Sequence, residues 1–221
     1  MKTFTSWLIL SFFLSSSLHA QWSCGDTLLD IRDGKMYPTV QIGNQCWMAK
    51  NLNIGVMLDC GNPNANQTNN STFEKFCYNS DTSNCILYGG LYQWDEMMQY
   101  STTPGVQGIC PAGWHVPTET EYTTIESNFP SGTAASALKV GGSSGFEATT
   151  GGYCYHNYSN WVFGSMGSYG VLRTSTESTT STTYACVRYY YPSDPAMYNT
   201  CSYKKNNGYT VRCIYNGPAC Q

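Results

Sequence analysis

The stretch Cys110-Pro111-Ala112-Gly113-Trp114-His115-Val116-Pro117-Thr118-Glu119-Thr120-Glu121 decides the fold reading. It runs a cysteine and a tight, proline-bounded segment straight into a helix start. Thr118 and Glu121 are spaced as a capping box, in which each side chain satisfies the other residue's backbone N–H. The helix should extend through Ile125. Upstream, residues 88–100 suit a short helix, because Leu91, Trp94 and Met98 fall on one face at helical spacing. A Met and Trp stripe of this kind reads as core. Downstream, Ala134 to Val140 suits a third helix closed by Gly141-Gly142.

Strands flank this helical middle. Thr27–Arg32, Lys35–Ile42 and Gln45–Met48 read as a meander turned at Asp33-Gly34 and Gly43-Asn44. Residues 59–72 are polar and turn-rich, hence a loop. Tyr184–Tyr191 and Tyr209–Tyr215 carry the aromatic and β-branched residues of strands. The terminal strands could pair and close the domain. The expected class is α+β with antiparallel sheets, two to three short helices and long loops.

The first 20 residues have the order of a secretory signal. Lys2 precedes the apolar run Trp7–Leu14, and Leu18-His19-Ala20 offers a cleavage site. That run is well short of the ~20 residues that span a bilayer. Residues 21–221 are expected to be one domain without a membrane span, secreted or on the outer cell surface. The chain has 11 basic and 14 acidic residues, a net charge of −3; without Lys2 the balance is −4. No basic cluster suggests nucleic-acid binding. All 11 cysteines lie beyond the leader, at 24, 46, 60, 77, 85, 110, 154, 186, 201, 213 and 220. In an exported chain they read as a disulfide framework with one left over. Their spacing lacks a Cys-x-x-Cys or a Cys/His cluster, so no metal is expected.

An ordered motif series carries a resemblance. It begins with Asp30–Tyr37 and Ile42–Leu52, then Cys77-Tyr78, Cys85 and Tyr88–Trp94. Cys110–Thr118, Ser175-Thr176-Glu177 and Gly208–Ile214 follow. Together these resemble the Fibrobacter succinogenes major paralogous domain, a bacterial family of exported proteins similar to the C-type lectin-like fold. The resemblance implies a disulfide-stapled domain with a variable loop surface, and pairing of Cys110 with Cys213. Cys77 and Cys85 flank a turn-rich stretch that could bring them together. The other seven cysteines stay unassigned. The acid-Pro-amide and Trp-Asn-Asp triplets of calcium-dependent lectins are missing; Ser193-Asp194-Pro195 is the nearest fragment. Four Asn-x-Ser/Thr sites, at Asn66, Asn69, Asn70 and Asn157, are discounted because the resemblance is bacterial.

Catalysis is poorly signposted, and no cofactor is implied. Formylglycine-generating enzymes share a distant version of the fold, but structural disulfides explain Cys186 and Cys201 more simply than a reactive pair. His115 and His156 are the only histidines beyond the leader, and neither sits at a visible spacing from a nucleophile. Glu119, Glu121 and Glu126 read as a solvated helix face. The positive signal is residues 152–209, where tyrosines, Tyr158 among them, alternate with Ser, Thr, Asn and Gly. That mixture suits recognition, since tyrosine supplies a rigid face and a polar handle. Tyr155, Trp161, Tyr189, Tyr191, Tyr198 and Tyr203 are the candidate ligand-binding residues. The expected function is a surface binding or adhesion module for a glycan or protein. The alternative is a structural subunit that self-associates through the odd cysteine or an edge strand. An enzyme of formylglycine-generating or hydrolytic type comes third.

Overall fold

The computed structural model describes residues 22–62, 65–157 and 160–217. The expected leader, Tyr158 and Cys220 lie outside the described residues. Strands β1 (Thr27–Asp30), β2 (Lys35–Ile42) and β3 (Gln45–Met48) form the N-terminal meander. Ile42 pairs with Gln45 across Gly43-Asn44, and Gly43 sits at φ 57°, left-handed backbone that glycine adopts without a Cβ clash. Next come β4 (Val56–Leu58), β5 (Glu74–Phe76), α1 (Thr82–Tyr88), β6 (Leu91–Tyr92) and the single-turn α2 (Trp94–Met97). After β7 (Trp114–His115) follow α3 (Glu119–Glu126) and α4 (Ala134–Leu138). The last third holds β8 (Tyr153–Asn157), β9 (Asn160–Gly164), β10 (Gly170–Glu177) and β11 (Tyr184–Tyr190). It ends with β12 (Tyr198–Lys204), β13 (Tyr209–Thr210) and β14 (Ile214–Tyr215).

These strands make a five-stranded sheet, β1-β2-β3-β14-β7, and a seven-stranded sheet, β12-β11-β10-β13-β6-β5-β4. A separate hairpin, β8-β9, lies beside them. Pairing is antiparallel except at β4-β5 and β10-β13. The architecture is α+β with few short helices, as expected. One core cluster gathers Met48, Tyr92, Trp94, Met98, Trp114 and Val211; another packs Trp47, Tyr122, Ile125, Leu138, Phe146 and Leu172. Among the described residues no helix is long and apolar enough to cross a membrane.

Four local expectations are corrected. Residues 88–100 are not one helix. Leu91 and Tyr92 pair with β5 and β13, only one helical turn follows, and Gln99 and Tyr100 take positive φ. Leu91, Trp94 and Met98 are nonetheless all buried. The run Tyr209–Tyr215 is not one strand either. Its ends belong to different sheets, and Val211–Cys213 crosses between them, with Val211 O and Cys213 O accepting from Leu52 N and Met48 N. The C-terminal strand pairs with β3 and β7 rather than with β1, so the termini share a sheet without touching as strands. Finally, the acids of α3 do not form a solvated face. Glu119 and Glu126 pair with the buried Arg188 of β11, and Glu121 pairs with His115.

Five disulfides staple the described residues: Cys24–Cys46, Cys60–Cys154, Cys77–Cys85, Cys110–Cys213 and Cys186–Cys201. Both expected pairs are present. The eleventh cysteine, Cys220, lies outside the described residues.

The capping box forms as expected: Thr118 Oγ1 accepts from Glu121 N, and Glu121 Oε2 accepts from Thr118 N at 2.8 Å. His115 joins it, with Nε2 2.7 Å from Glu121 Oε1 and Nδ1 2.6 Å from Asn216 Oδ1. Both ring nitrogens face acceptors, which favours the doubly protonated ring. Burial alone would lower the His115 pKa, but the bonds to Glu121 and Asn216 raise it above 6.5. Burial likewise pushes Glu121 up, and the bonds from His115 and Thr118 outweigh it, leaving Glu121 below 4.5. A raised histidine stabilises fully below 6.5 and loses that stability as pH rises through its folded value; a lowered carboxyl stabilises fully above 4.5 and loses it as pH falls. The stability gap between wild type and His115→Gln is therefore expected to be widest between pH 4.5 and 6.5 and to narrow on either side, as urea unfolding across pH would measure.

Candidate functional site

Strand alternation builds the candidate surface. Successive side chains point to opposite faces of a strand. In β11, Arg188 and Tyr190 face inward, toward α3 and the second core cluster. Tyr189 and Val187 face the other way. Opposite Tyr189 lie Val171 of β10 and Tyr198 of β12. Tyr169 and Tyr203 reach the same outer face, and β8 and β13 add Tyr153 and Tyr209.

The result is a connected array of eight tyrosines. Tyr189 stacks on Tyr198 at 5.4 Å and on Tyr203 at 6.4 Å. Tyr169 touches Tyr189, Tyr191 and Tyr153 at 5.5, 5.2 and 6.4 Å. Tyr209 meets Tyr203 at 5.4 Å and Tyr153 at 5.5 Å, and Tyr155 leans on Tyr153 at 5.3 Å. Such ring pairs add about 0.5–1.5 kcal/mol each beyond their buried area. The hydroxyls of Tyr169 and Tyr203 share a short hydrogen bond. Burial first, and that bond second, raise the Tyr169 pKa far out of range, so it stays neutral. Tyr198 donates to Asp194 Oδ2 at 2.8 Å, and Asp194 Oδ1 accepts from Ala196 N. Cys186–Cys201 locks β11 to β12 beneath the array, and Cys60–Cys154 anchors β8.

Five of the six expected ligand residues belong to this array. Tyr191 and Tyr198 are exposed, at 46% and 38%, and Tyr155, Tyr189 and Tyr203 are half-buried. Trp161 is a correction. It is only 4% exposed, packed on Phe76 at 6.0 Å and edge-on to His156 at 5.1 Å, so it belongs to the core. An aromatic within a polar stretch did not reveal which side of its strand faced inward. The array borders a cavity of about 430 Å³, lined by Tyr153, Tyr155, Tyr184, Tyr203 and Tyr209 with His156, Lys204 and Asn207.

A second concavity, about 790 Å³, was not foreseen. It lies between β2, residues 49–53, α1 and residues 140–149. Met36, Ile86, Leu87 and Val140 line it, each more than half exposed, over Asn51 and Asn53. The signal was Cys85-Ile86-Leu87. Consecutive residues on a helix are turned by about 100°. With Cys85 buried in its disulfide, Ile86 and Leu87 must point elsewhere.

The quoted motif stretches line much of the larger concavity, through Met36, Tyr37, Lys50 and Asn51, and other side chains of theirs build the frame. Arg212 is fully buried. Its Nε and Nη2 donate to Asn51 Oδ1 at 3.1 and 2.8 Å, Nη2 donates to Glu147 O at 3.0 Å, and Nη1 bonds to Phe146 O. Trp94 Nε1 donates to Thr174 O at 3.0 Å, and Lys205, paired with Glu177, lies 4.0 Å over its ring.

Fold and surface together define a disulfide-stapled α+β domain that carries a tyrosine array on the outer face of its larger sheet. The chain matches the Fibrobacter succinogenes major domain over residues 40–215 and belongs to that family. No curated protein and no solved structure matches it.

Proposed function

We propose that this chain is an exported binding module that holds a saccharide on its tyrosine array. The observation that carries this reading is the array itself: eight tyrosines linked by ring contacts, four of which, Tyr153, Tyr155, Tyr203 and Tyr209, line a cavity at its edge. Tyrosine faces offer apolar contact to sugar rings, and their hydroxyls offer hydrogen bonds at small entropic cost. The two disulfides under the array limit its movement, which favours a preformed site. Export through a leader at 1–20 accords with five disulfides, which persist in oxidising compartments. A C-type lectin-like arrangement of the single domain at 21–221 accords with the terminal strands sharing one sheet and with a loop-rich face. Recognition rather than catalysis accords with the structural bonding of both His115 and the Cys186–Cys201 pair.

A glycan array of the mature protein tests the reading. The double variant Tyr191→Ala/Tyr198→Ala is expected to bind at least ten-fold more weakly, about 1.4 kcal/mol, while the domain stays folded with a midpoint lowered only by the ring contacts those two side chains make. A wild-type protein that binds no glycan sinks the reading. One observation favours a subunit of a surface assembly instead: the four exposed apolar residues around the larger cleft, which a second copy could cover. Light scattering over a concentration series distinguishes the two, since assembly requires self-association that Ile86→Ser/Leu87→Ser abolishes.

A further inference from the structure

The cavity beside the tyrosine array has a charge character of its own. None of its lining residues is an Asp or a Glu. Lys204 lines it with an exposed ammonium that has no ion-pair partner among the described residues. His156 contributes an imidazole, and Asn207 an amide. Lys205, next in sequence, is different, because Glu177 neutralises it.

Behind the wall stands a second cation. Arg173 is fully buried, 4.7 Å under the ring of Tyr209. Its guanidinium donates to the backbone carbonyls of Lys204, Tyr203 and Asn207, the segment that forms one side of the cavity. Its Nε has no hydrogen-bond partner. Among the described residues no carboxylate lies within ion-pair distance of it. Burial lowers its pKa to about 10, and Asp95 acts on it only from a distance; it keeps its proton at neutral pH. A buried charge is screened far less than one in water. A chain of net charge −3 therefore presents one aromatic cavity backed by uncompensated positive charge.

We infer that this cavity takes an acidic saccharide, a glycan whose sugar rings carry carboxylates, with the ring laid on the half-buried Tyr153 and Tyr155 and the carboxylate turned toward Lys204 and His156. The inference rests on the saccharide-binding reading above and adds the charge of the ligand. The distribution of roles is physical. Tyrosine faces accept a sugar of any charge. An ammonium on a flexible stem and a fixed buried guanidinium both favour an anion, and complementary charge chiefly sets specificity and encounter rate.

Titration calorimetry with the mature protein tests it using three probes: an oligogalacturonate, its fully methyl-esterified form and an oligoglutamate of matching charge. The ester keeps the ring and loses the charge; the oligoglutamate keeps the charge and loses the ring. The acid form is expected to bind at least ten-fold tighter than either. Lys204→Glu, at an exposed position, should remove that preference while the unfolding midpoint holds. Raising salt from about 50 to 500 mM should weaken the acid form and leave the ester unchanged. If acid and ester bind alike and Lys204→Glu changes nothing, the charge inference is overturned and the saccharide reading stands. If oligoglutamate binds as well as oligogalacturonate, the site is a general anion site and the inference is again overturned. If none of the three binds while neutral glycans register on the array, the inference fails alone; with a blank array, both readings fail.

Discussion

Replacing Cys110 and Cys213 together by alanine is expected to destabilise the domain by about 4–5 kcal/mol, the chain-entropy value for a closed loop of this size. The bridge spans 103 residues of sequence and joins the approach to α3 with the crossing segment between the two sheets. Both cysteines are fully buried in the core cluster that contains Trp94 and Trp114, so their removal also loosens packing. Cys77 and Cys85 supply the control. They are separated by only 8 residues, and the same model gives their loop about 2.5 kcal/mol. Urea unfolding of the two double variants should therefore show a midpoint loss clearly larger for the long loop. Equal losses would mean that loop closure is not what the long bridge contributes.

Arg212→Ala is expected to cost about 3–5 kcal/mol, since it strips partners from buried polar groups and leaves a cavity. Asn51 Oδ1, Phe146 O and Glu147 O would all lose a charged donor. Phe146 would also lose the guanidinium 4.2 Å over its ring. Arg212→Lys should recover little, because one ammonium cannot reproduce a planar fork that reaches Asn51, Phe146 and Glu147 at once. Asn51→Ala tests the same junction from the other side. Asn51 also donates to Tyr88 O at 2.8 Å and Thr149 Oγ1 at 3.0 Å. Its loss should not add fully to that of Arg212, since the two share one network. Chemical unfolding of both single variants and the double variant gives the coupling.

The parts of the fold that were legible had strong local causes. The capping box at Thr118 and Glu121 and the glycine turn at Gly43 announce themselves through residue type at fixed spacing, and both formed. The burial of Leu91, Trp94 and Met98 was readable, although not the backbone beneath them. Glycines at 89 and 90 and pairing with β13 turned a helical spacing into a strand and a single turn. The alternation of Tyr209–Tyr215 was real, yet sequence carries no mark for a strand that changes sheets halfway. The tyrosine surface was visible as composition. Which rings faced outward depended on register, and register is set by the bulges between β10, β11 and β12. Trp161 lies outside that sheet, on β9, where nothing in the sequence marks which face packs on Phe76. The exposed cleft at Ile86 and Leu87 stayed hidden because adjacent apolar residues read as core until the disulfide at Cys85 fixes which one points inward.

The crossing segment Val211–Cys213 has a consequence for how the molecule comes to exist. Its flanking strands are both interior, β13 between β10 and β6 in one sheet and β14 between β3 and β7 in the other. The longest covalent loop also closes there. Neither sheet is continuous until that stretch is in place, so the strands before it cannot complete either sheet without it. Such dependence on pairing between strands far apart in sequence makes folding slow by topology.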